Sequence, residues 1–484
     1  MVLDNLEPRG VFYFFEEISK IPRGSGHEAR IGEWIYDLAR SKGLWASRDT
    51  VHNVLVKKPG TPGYEKAAPL ILQGHVDMVC EKNKDTVHNF LTDPIHLKID
   101  GDFIYADGTT LGADNGVAVA MNLALMTAED VPHPPLELLF TTNEETGMNG
   151  AESIEASLLQ GRRLINLDSE VEGEFCTSCA GGLKTVVTLP ARKQALPDMS
   201  AVYALRVKGL KGGHSGMEID KERANSNHLL GRTLLALSKN LRFSLISVSG
   251  GLKINAIPRE SEAILGFQRD DYKKAATIVT AQAEMFRREY RASDPAVQLE
   301  LALALDSQAS KAFASDALQK VLALLLLTPI GVQAMSLDLP GLVETSNNLG
   351  VVSTEDSAIL FSNQIRSSVT SRKYAVRDQL HLLATVVGAK VQTTGDYPEW
   401  EYQPQSALRE TLLNLFEKKY SRKAKLTATH AGLECGLFAK KWPGVELISF
   451  GPDLFDVHTP DEHMSISSVA RVWDFLLDAL KELG

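Results

Sequence analysis

Four short apolar runs, 69–72, 136–140, 164–167 and 445–450, each stop within a short loop of a histidine or an acid. Runs of this length, separated by helical stretches, read as strands of a largely parallel sheet buried on both faces. One such helix covers 28–43, where Ile31, Trp34, Ile35 and Leu38 share a face and Gly43 supplies a stop. The last run and a helix over 466–483 return to that sheet after a long excursion. With 484 residues, 44% of them hydrophobic, the chain has material for two or three domains. A disordered or fibrous chain is excluded.

The excursion, 195–396, has another rhythm. Tyr203, Leu205 and Val207 alternate with their neighbours as in a strand. A helix follows over 225–240, strands over 243–248 and 254–267, a helix over 273–293 and a strand over 297–305. That order, βαββαβ, is the ferredoxin-like unit. Next come a helix (311–327), strands (342–352 and 358–365), a helix (374–388) and a strand (390–394), which is the same unit without its first strand. The expected architecture is α/β. A catalytic domain in two parts, 1–190 and 398–484, has a mostly parallel central sheet with helices on both faces. An α+β lid domain of duplicated ferredoxin-like units interrupts it at 191–397. The boundaries fall at 188–198 and 395–404, both containing proline and polar residues.

Charge narrows the partners. There are 51 basic and 61 acidic residues, a net charge of −10, and no basic stripe, which argues against nucleic acid and suits small molecules or cations. The longest apolar stretch, 321–327, is far short of the roughly 20 residues of a membrane span. Asp4, Glu7, Glu16 and Glu17 occupy the region where a secretory leader carries basic residues and an apolar core, so a cytoplasmic protein is expected. Four cysteines are too few for a disulfide framework. Cys176 and Cys179 form one C-x-x-C without a second pair and read as reduced, partly buried thiols.

The chemistry-bearing residues stand where strands end. His75-x-Asp77 follows the first run, Glu144-Glu145 the second, Asp168 the third, and His458 lies a loop beyond the fourth. Open α/β sheets bind ligands outside the carboxyl ends of their strands. Asp114 precedes an apolar helix beginning near Val117 and suits a helix cap. Each residue alone has a plain structural reading: a cap, a solvated glutamate pair, a turn aspartate, a loop histidine. Together they are hard to explain without an ion, because clustered carboxylates repel one another. Two histidines and three acids suit zinc or a similar divalent ion. They are too many for one open catalytic zinc and fit two metals sharing a bridging carboxylate. Asp77, on the same side of an extended segment as His75, is placed to accept that ring's other N–H. Glu144, beside a ligand acid, is the natural general base.

These motifs resemble the signature of the co-catalytic di-zinc peptidase family of aminoacylases, carboxypeptidases and dipeptidases. Gly212-Gly-His-Ser-Gly216, Asn255-Ala-Ile-Pro-Arg259 and His430-Ala-Gly-Leu-Glu-Cys-Gly436 resemble its aminoacyl-histidine dipeptidase branch, which cleaves carnosine. The resemblance runs over essentially the whole chain. It implies one metal on His75, Asp114 and Asp168 and another on Asp114, Glu145 and His458, with a cis peptide at Asp114–Asn115. It also implies two zinc ions per chain, for which manganese or cobalt would substitute. His214 becomes a donor to the oxyanion of the tetrahedral intermediate, although alone it reads equally as a surface loop histidine. Asn255 helps to orient the same group. Arg366, alone a surface charge, forks onto a substrate carboxylate, and Glu434 meets the free amine or supports the site.

The resulting expectation is a metallo-dipeptidase acting on Xaa-His dipeptides, β-alanyl-histidine included, through a zinc-activated water with Glu144 as base. Relatives often place the lid histidine in a neighbouring subunit's site, which implies a homodimer, whereas a doubled lid allows His214 and Arg366 to serve their own chain. The alternative is an N-acyl amino acid deacylase or aminopeptidase on the same metals. A metal-dependent binding protein would have lost Glu144 or Asp77, and both are present.

Overall fold

The apolar runs form the middle of an eight-stranded sheet. In this computed structural model, which describes residues 2–196, 200–304 and 310–484, Leu136–Thr141, Leu70–His75, Arg163–Asn166 and Glu446–Ser449 lie side by side and parallel. Every residue of Leu70–His75 and Leu136–Thr141 is buried, which is why these strands lack polar alternation. The helix Ala113–Thr127 is buried nearly all round and packs on Leu70–His75. Gly74 permits that approach, since a Cβ there would come within 2.6 Å of Ala118 Cβ and Asn115 Oδ1. Farther along the same core cluster Phe175 meets Phe416, Phe450 and Phe475 at centroid distances of 5.5, 5.3 and 5.7 Å. The helix Ile466–Glu482 supplies Phe475.

The sheet is parallel only at its centre, so the mostly parallel sheet expected is a mixed one. Trp45–Arg48 and Val54–Lys58 join antiparallel at one side, and Glu174–Cys179 joins antiparallel at the other. The link from Arg48 to Val54 is too short for the crossover that parallel pairing requires. A separate four-stranded sheet pairs Leu97–Asp100 and Phe103–Ala106 with a hairpin of Leu454–Phe455 and His463–Ser465. His463 stacks between Tyr105 and Phe455, at 4.7 and 4.9 Å, and pins that hairpin.

The chain divides into two compact units, Met1–Ser178 with Tyr402–Ala428 and Leu433–Gly484, and Cys179–Glu401 with Thr429–Gly432. The switch thus comes before the 190/191 boundary expected from the sequence, because Gly181–Pro190 is a strand of the second unit's sheet. That sheet has nine strands. Four of them, Gln298–Leu303, Ser200–Lys208, Ser261–Gln268 and Ser244–Gly250, stand in the order 4-1-3-2 of a βαββαβ unit. Lys390–Tyr397, Gly181–Pro190, Ala358–Ser367 and Val343–Thr354 repeat that order. The second repeat therefore has its first strand, Gly181–Pro190, separated from the rest by the whole first repeat. The helix read over 311–327 begins later, at Ser315, because Lys311–Phe313 pairs as a strand with Lys193–Ala195. Leu305, the end of one expected strand, and Pro197 and Asp198 of the first expected boundary lie outside the described residues.

Candidate metal centre

Each parallel strand delivers its side chain at its carboxyl end. His75 closes Leu70–His75, Glu144 and Glu145 follow Leu136–Thr141, and Asp168 follows Arg163–Asn166. His458 sits in the hairpin loop after Leu454–Phe455, with a φ of 65° that is uncommon for a histidine. Asp114 is not a helix cap. Gly112 occupies that position, Asp114 and Asn115 depart from helical geometry, and the peptide between them is cis.

The five side chains converge. His75 Nε2 lies 3.2 Å from Asp114 Oδ1 and 3.4 Å from Asp168 Oδ1. His458 Nε2 lies 3.1 Å from both Asp114 Oδ2 and Glu145 Oε1. The two oxygens of Asp114 thus face two different clusters, His75–Asp114–Asp168 and Asp114–Glu145–His458. Donors about 2.1 Å from a zinc-sized ion stand about 3.4 Å apart in a tetrahedron, so the histidine–carboxylate edges of both triangles have about the right length. A single Nε2–H cannot serve two carboxylates at once, and Asp168 Oδ1 is buried with no hydrogen-bond partner. A cation inside each triangle satisfies all of these atoms, so the residues fit two divalent ions.

Electrostatics report the same demand for positive charge. The Asp114 and Glu145 carboxylates push the His458 ring up to about 11. At His75 burial opposes the charged ring, yet Asp168, Asp114 and Asp77 outweigh it and hold the ring well above its ordinary value. Burial lifts Asp168 to about 6 against the pull of His75. Burial also raises Glu144 well above the usual carboxylate range, against the pull of His75 and with Asp168 and Glu434 adding to the rise.

Asp77 ties the centre together. Its Oδ1 is 3.4 Å from His75 Nδ1, which is also 3.2 Å from the Asp77 carbonyl. The carboxylate accepts from Ser25 Oγ at 2.8 Å, Glu144 N at 3.1 Å and Glu145 N at 3.3 Å. One aspartate thus orients a ring and fixes the loop carrying both glutamates. Glu28 accepts from the preceding amide, Asn143 N, at 3.0 Å. Glu434 is fully buried and accepts from Gln73 Nε2 at 2.6 Å and Thr141 Oγ1 at 2.8 Å. Its other oxygen has no partner, and burial pushes it up to about 8.

The second unit gathers the remaining sequence candidates. His214 pairs with Ala256 on a two-stranded ladder, beside Asn255, whose carbonyl accepts from Ser215 N at 2.9 Å. The Asn255 side chain is exposed. His214 Nδ1 accepts from Gly216 N and Met217 N at 3.3 and 3.1 Å, which leaves the proton on Nε2. Burial and then Arg366 lower its basicity, which favours the neutral ring. Arg366 is buried rather than a surface charge. Its Nη1 donates to the Tyr397 hydroxyl at 3.1 Å and its Nε has no partner. Ser346, which the sequence did not single out, and His430, which stood there only as the start of a motif with no role of its own, complete this cluster. Ser346 stands opposite Arg366, and His430, brought to about 3 by burial and by Arg366, lies 2.7 Å from the Ser346 hydroxyl. In the first unit the sequence also gave no sign of Arg23 and Glu462, both 2% exposed. A lone arginine and a turn glutamate look like solvated charges until their burial is seen.

Comparison with known proteins gives the family. The model of peptidase family M20/M25/M40 matches residues 71–482. The cytosol non-specific dipeptidase of Escherichia coli (strain K12) is 40% identical over 483 residues, 99% of each chain. The crystal structure of aminoacylhistidine dipeptidase from Vibrio alginolyticus superposes with a TM-score of 0.94 at 37% identity, covering 99% of this chain and 97% of that one. Aminopeptidase PepT from Bacillus cereus ATCC 10987 shares the fold at a TM-score of 0.57 and 14% identity, covering 99% of both chains. With a family match over most of its length and a relative at this identity, the chain belongs to peptidase family M20/M25/M40 and is a hydrolase acting on peptide bonds.

Proposed function

We propose that this peptidase cleaves dipeptides with two divalent cations, zinc by preference and manganese or cobalt as substitutes. The observation that carries the reading is the pair of His–acid triangles sharing Asp114. His75, Asp114 and Asp168 would hold one ion, and Asp114, Glu145 and His458 the other. Bound there, the ions supply Lewis acidity and lower the pKa of a water toward neutrality.

The protein's own residues do the rest. Asp77 holds the His75 ring and the backbone of Glu144 in place. The Glu144 carboxylate accepts a proton as the water oxygen adds to the scissile carbonyl carbon. It returns that proton to the amine nitrogen as the C–N bond breaks. His214 donates through Nε2–H to the oxygen that gains charge, with Asn255 alongside. Arg366 presents its fork to the substrate's carboxylate, and the unpartnered oxygen of Glu434 receives the free amine. The names of the two similar dipeptidases support a dipeptide substrate, and the Vibrio name supports Xaa-His dipeptides such as β-alanyl-histidine. We also infer a cytoplasmic homodimer. The name of the Escherichia coli relative supports the compartment, and no described helix is long and apolar enough to cross a membrane.

The test pairs a substrate panel with one variant. Free dipeptides are cleaved and their N-acetyl forms are not. Glu144→Gln retains both cations while turnover falls about 10²–10⁴-fold. Preference for N-acetyl substrates, or near wild-type turnover in Glu144→Gln, would overturn the reading.

A further inference from the structure

We propose that Arg23 and Glu462 are positioning residues for the cation pair, a buried charged strap that fixes the spacing of three ligand-bearing segments. The proposal rests on the two-cation reading above. Arg23 Nη1 donates to the carbonyls of Val76 at 2.9 Å and Asp77 at 3.3 Å, directly after the ligand His75. Its Nη2 donates to the Gly112 carbonyl at 2.6 Å, two residues before Asp114. Glu462 grips the other side of that loop. Its Oε2 accepts from Leu111 N and Gly112 N at 2.8 and 2.9 Å, and its Oε1 accepts from Ala113 N and Asp114 N at 2.8 and 3.3 Å. Glu462 also lies in the hairpin that carries His458, between Leu454–Phe455 and His463–Ser465. The strap therefore runs from the His75 turn through the Asp114 loop to the His458 hairpin.

Two features separate this from ordinary core packing. The loop is shaped around the guanidinium, since a Cβ at Gly112 or Gly116 would come within 2.6 Å of Arg23 Nη2. Buried charged side chains are also weak support for a fold, because apolar side chains of similar volume often serve stability as well. What apolar side chains cannot do is hold three carbonyls and four amides of the same turns at once. The strap touches backbone alone among the ligand segments and leaves every ligand oxygen and nitrogen free. It sets where Asp114 stands between His75 and His458 without competing for an ion.

The test is calorimetric titration of zinc into chelator-stripped full-length chain, for wild type, Glu462→Gln and Arg23→Lys, with kcat measured against zinc concentration. Wild type takes two zinc ions. Glu462→Gln folds, with wild-type circular dichroism, and binds zinc about 10–100-fold more weakly, the larger loss falling on the second ion. Its kcat recovers as zinc is raised. Arg23→Lys keeps the charge but loses the fork, and its affinity falls between the two. A folded Glu462→Gln or Arg23→Lys that binds both ions with wild-type affinity overturns the strap. Failure of both variants to fold also overturns it, by making the pair a requirement of the core. A wild-type chain that binds no zinc instead overturns the two-cation reading itself.

Discussion

Asp77→Asn removes one charge and exchanges one oxygen for an NH2 group at a site with no solvent exposure. The amide can be set in two ways. With its nitrogen in the Oδ1 position it faces Glu144 N–H, at 3.1 Å, and the His75 Nδ1 edge, at 3.4 Å, so Glu144 N–H loses its acceptor and the ring keeps only the residue-77 carbonyl, at 3.2 Å, with a like donor turned toward it. With its nitrogen in the Oδ2 position the Ser25 hydroxyl turns to accept, and only Glu145 N–H, at 3.3 Å, is left unserved. The second arrangement is the cheaper. One buried donor without a partner costs about 1–3 kcal/mol of folding free energy. The His75 ring also loses the carboxylate behind Nδ1, which weakens cation affinity by about 10–100-fold, or about 1.4–2.7 kcal/mol. Urea unfolding of the stripped chain reads the first figure and zinc titration reads the second. Asp77→Asn with wild-type zinc affinity and wild-type kcat would refute the reasoning.

The remaining expectations concern the second unit. His214→Ala lowers kcat by about 10²–10³-fold with zinc content unchanged, the loss expected for one oxyanion donor; a variant that changes only KM argues against that role. Mixing His214→Ala chains with His458→Ala chains restores activity if a dimer shares His214 between subunits, and restores none if each chain uses its own. Arg366→Lys loses the bidentate fork, so the preference for a dipeptide acid over its C-terminal amide shrinks about tenfold or more. An unchanged acid-to-amide ratio would remove Arg366 from carboxylate recognition.

The first unit was legible where physics leaves a local mark. Strands buried on both faces must read as unbroken apolar runs, and ligands of such sheets stand at their carboxyl ends, so His75, Glu145 and Asp168 could be placed from the sequence. Asp114 alone read as a helix cap and became a ligand candidate only in company with the other four side chains, because the departure from helical geometry at Asp114–Asn115 has no compositional signature. Arg23 and Glu462 left no trace: their meaning lies in backbone groups far away in the chain. The duplicated α+β pattern was visible, but the first strand of the second repeat was hidden, since Gly181–Pro190 is continuous with the catalytic half and pairs only across a long insertion. Arg366 read as a surface charge because its burial depends on Tyr397 and on the facing strand.

The most direct measurement is anomalous diffraction at the zinc edge from crystals of the intact chain grown with zinc. Two peaks per chain are predicted, one within ligand distance of His75, Asp114 and Asp168 and the other of Asp114, Glu145 and His458. Crystals replete with zinc that show no peak between those side chains, or peaks only elsewhere on the molecule, would contradict the account.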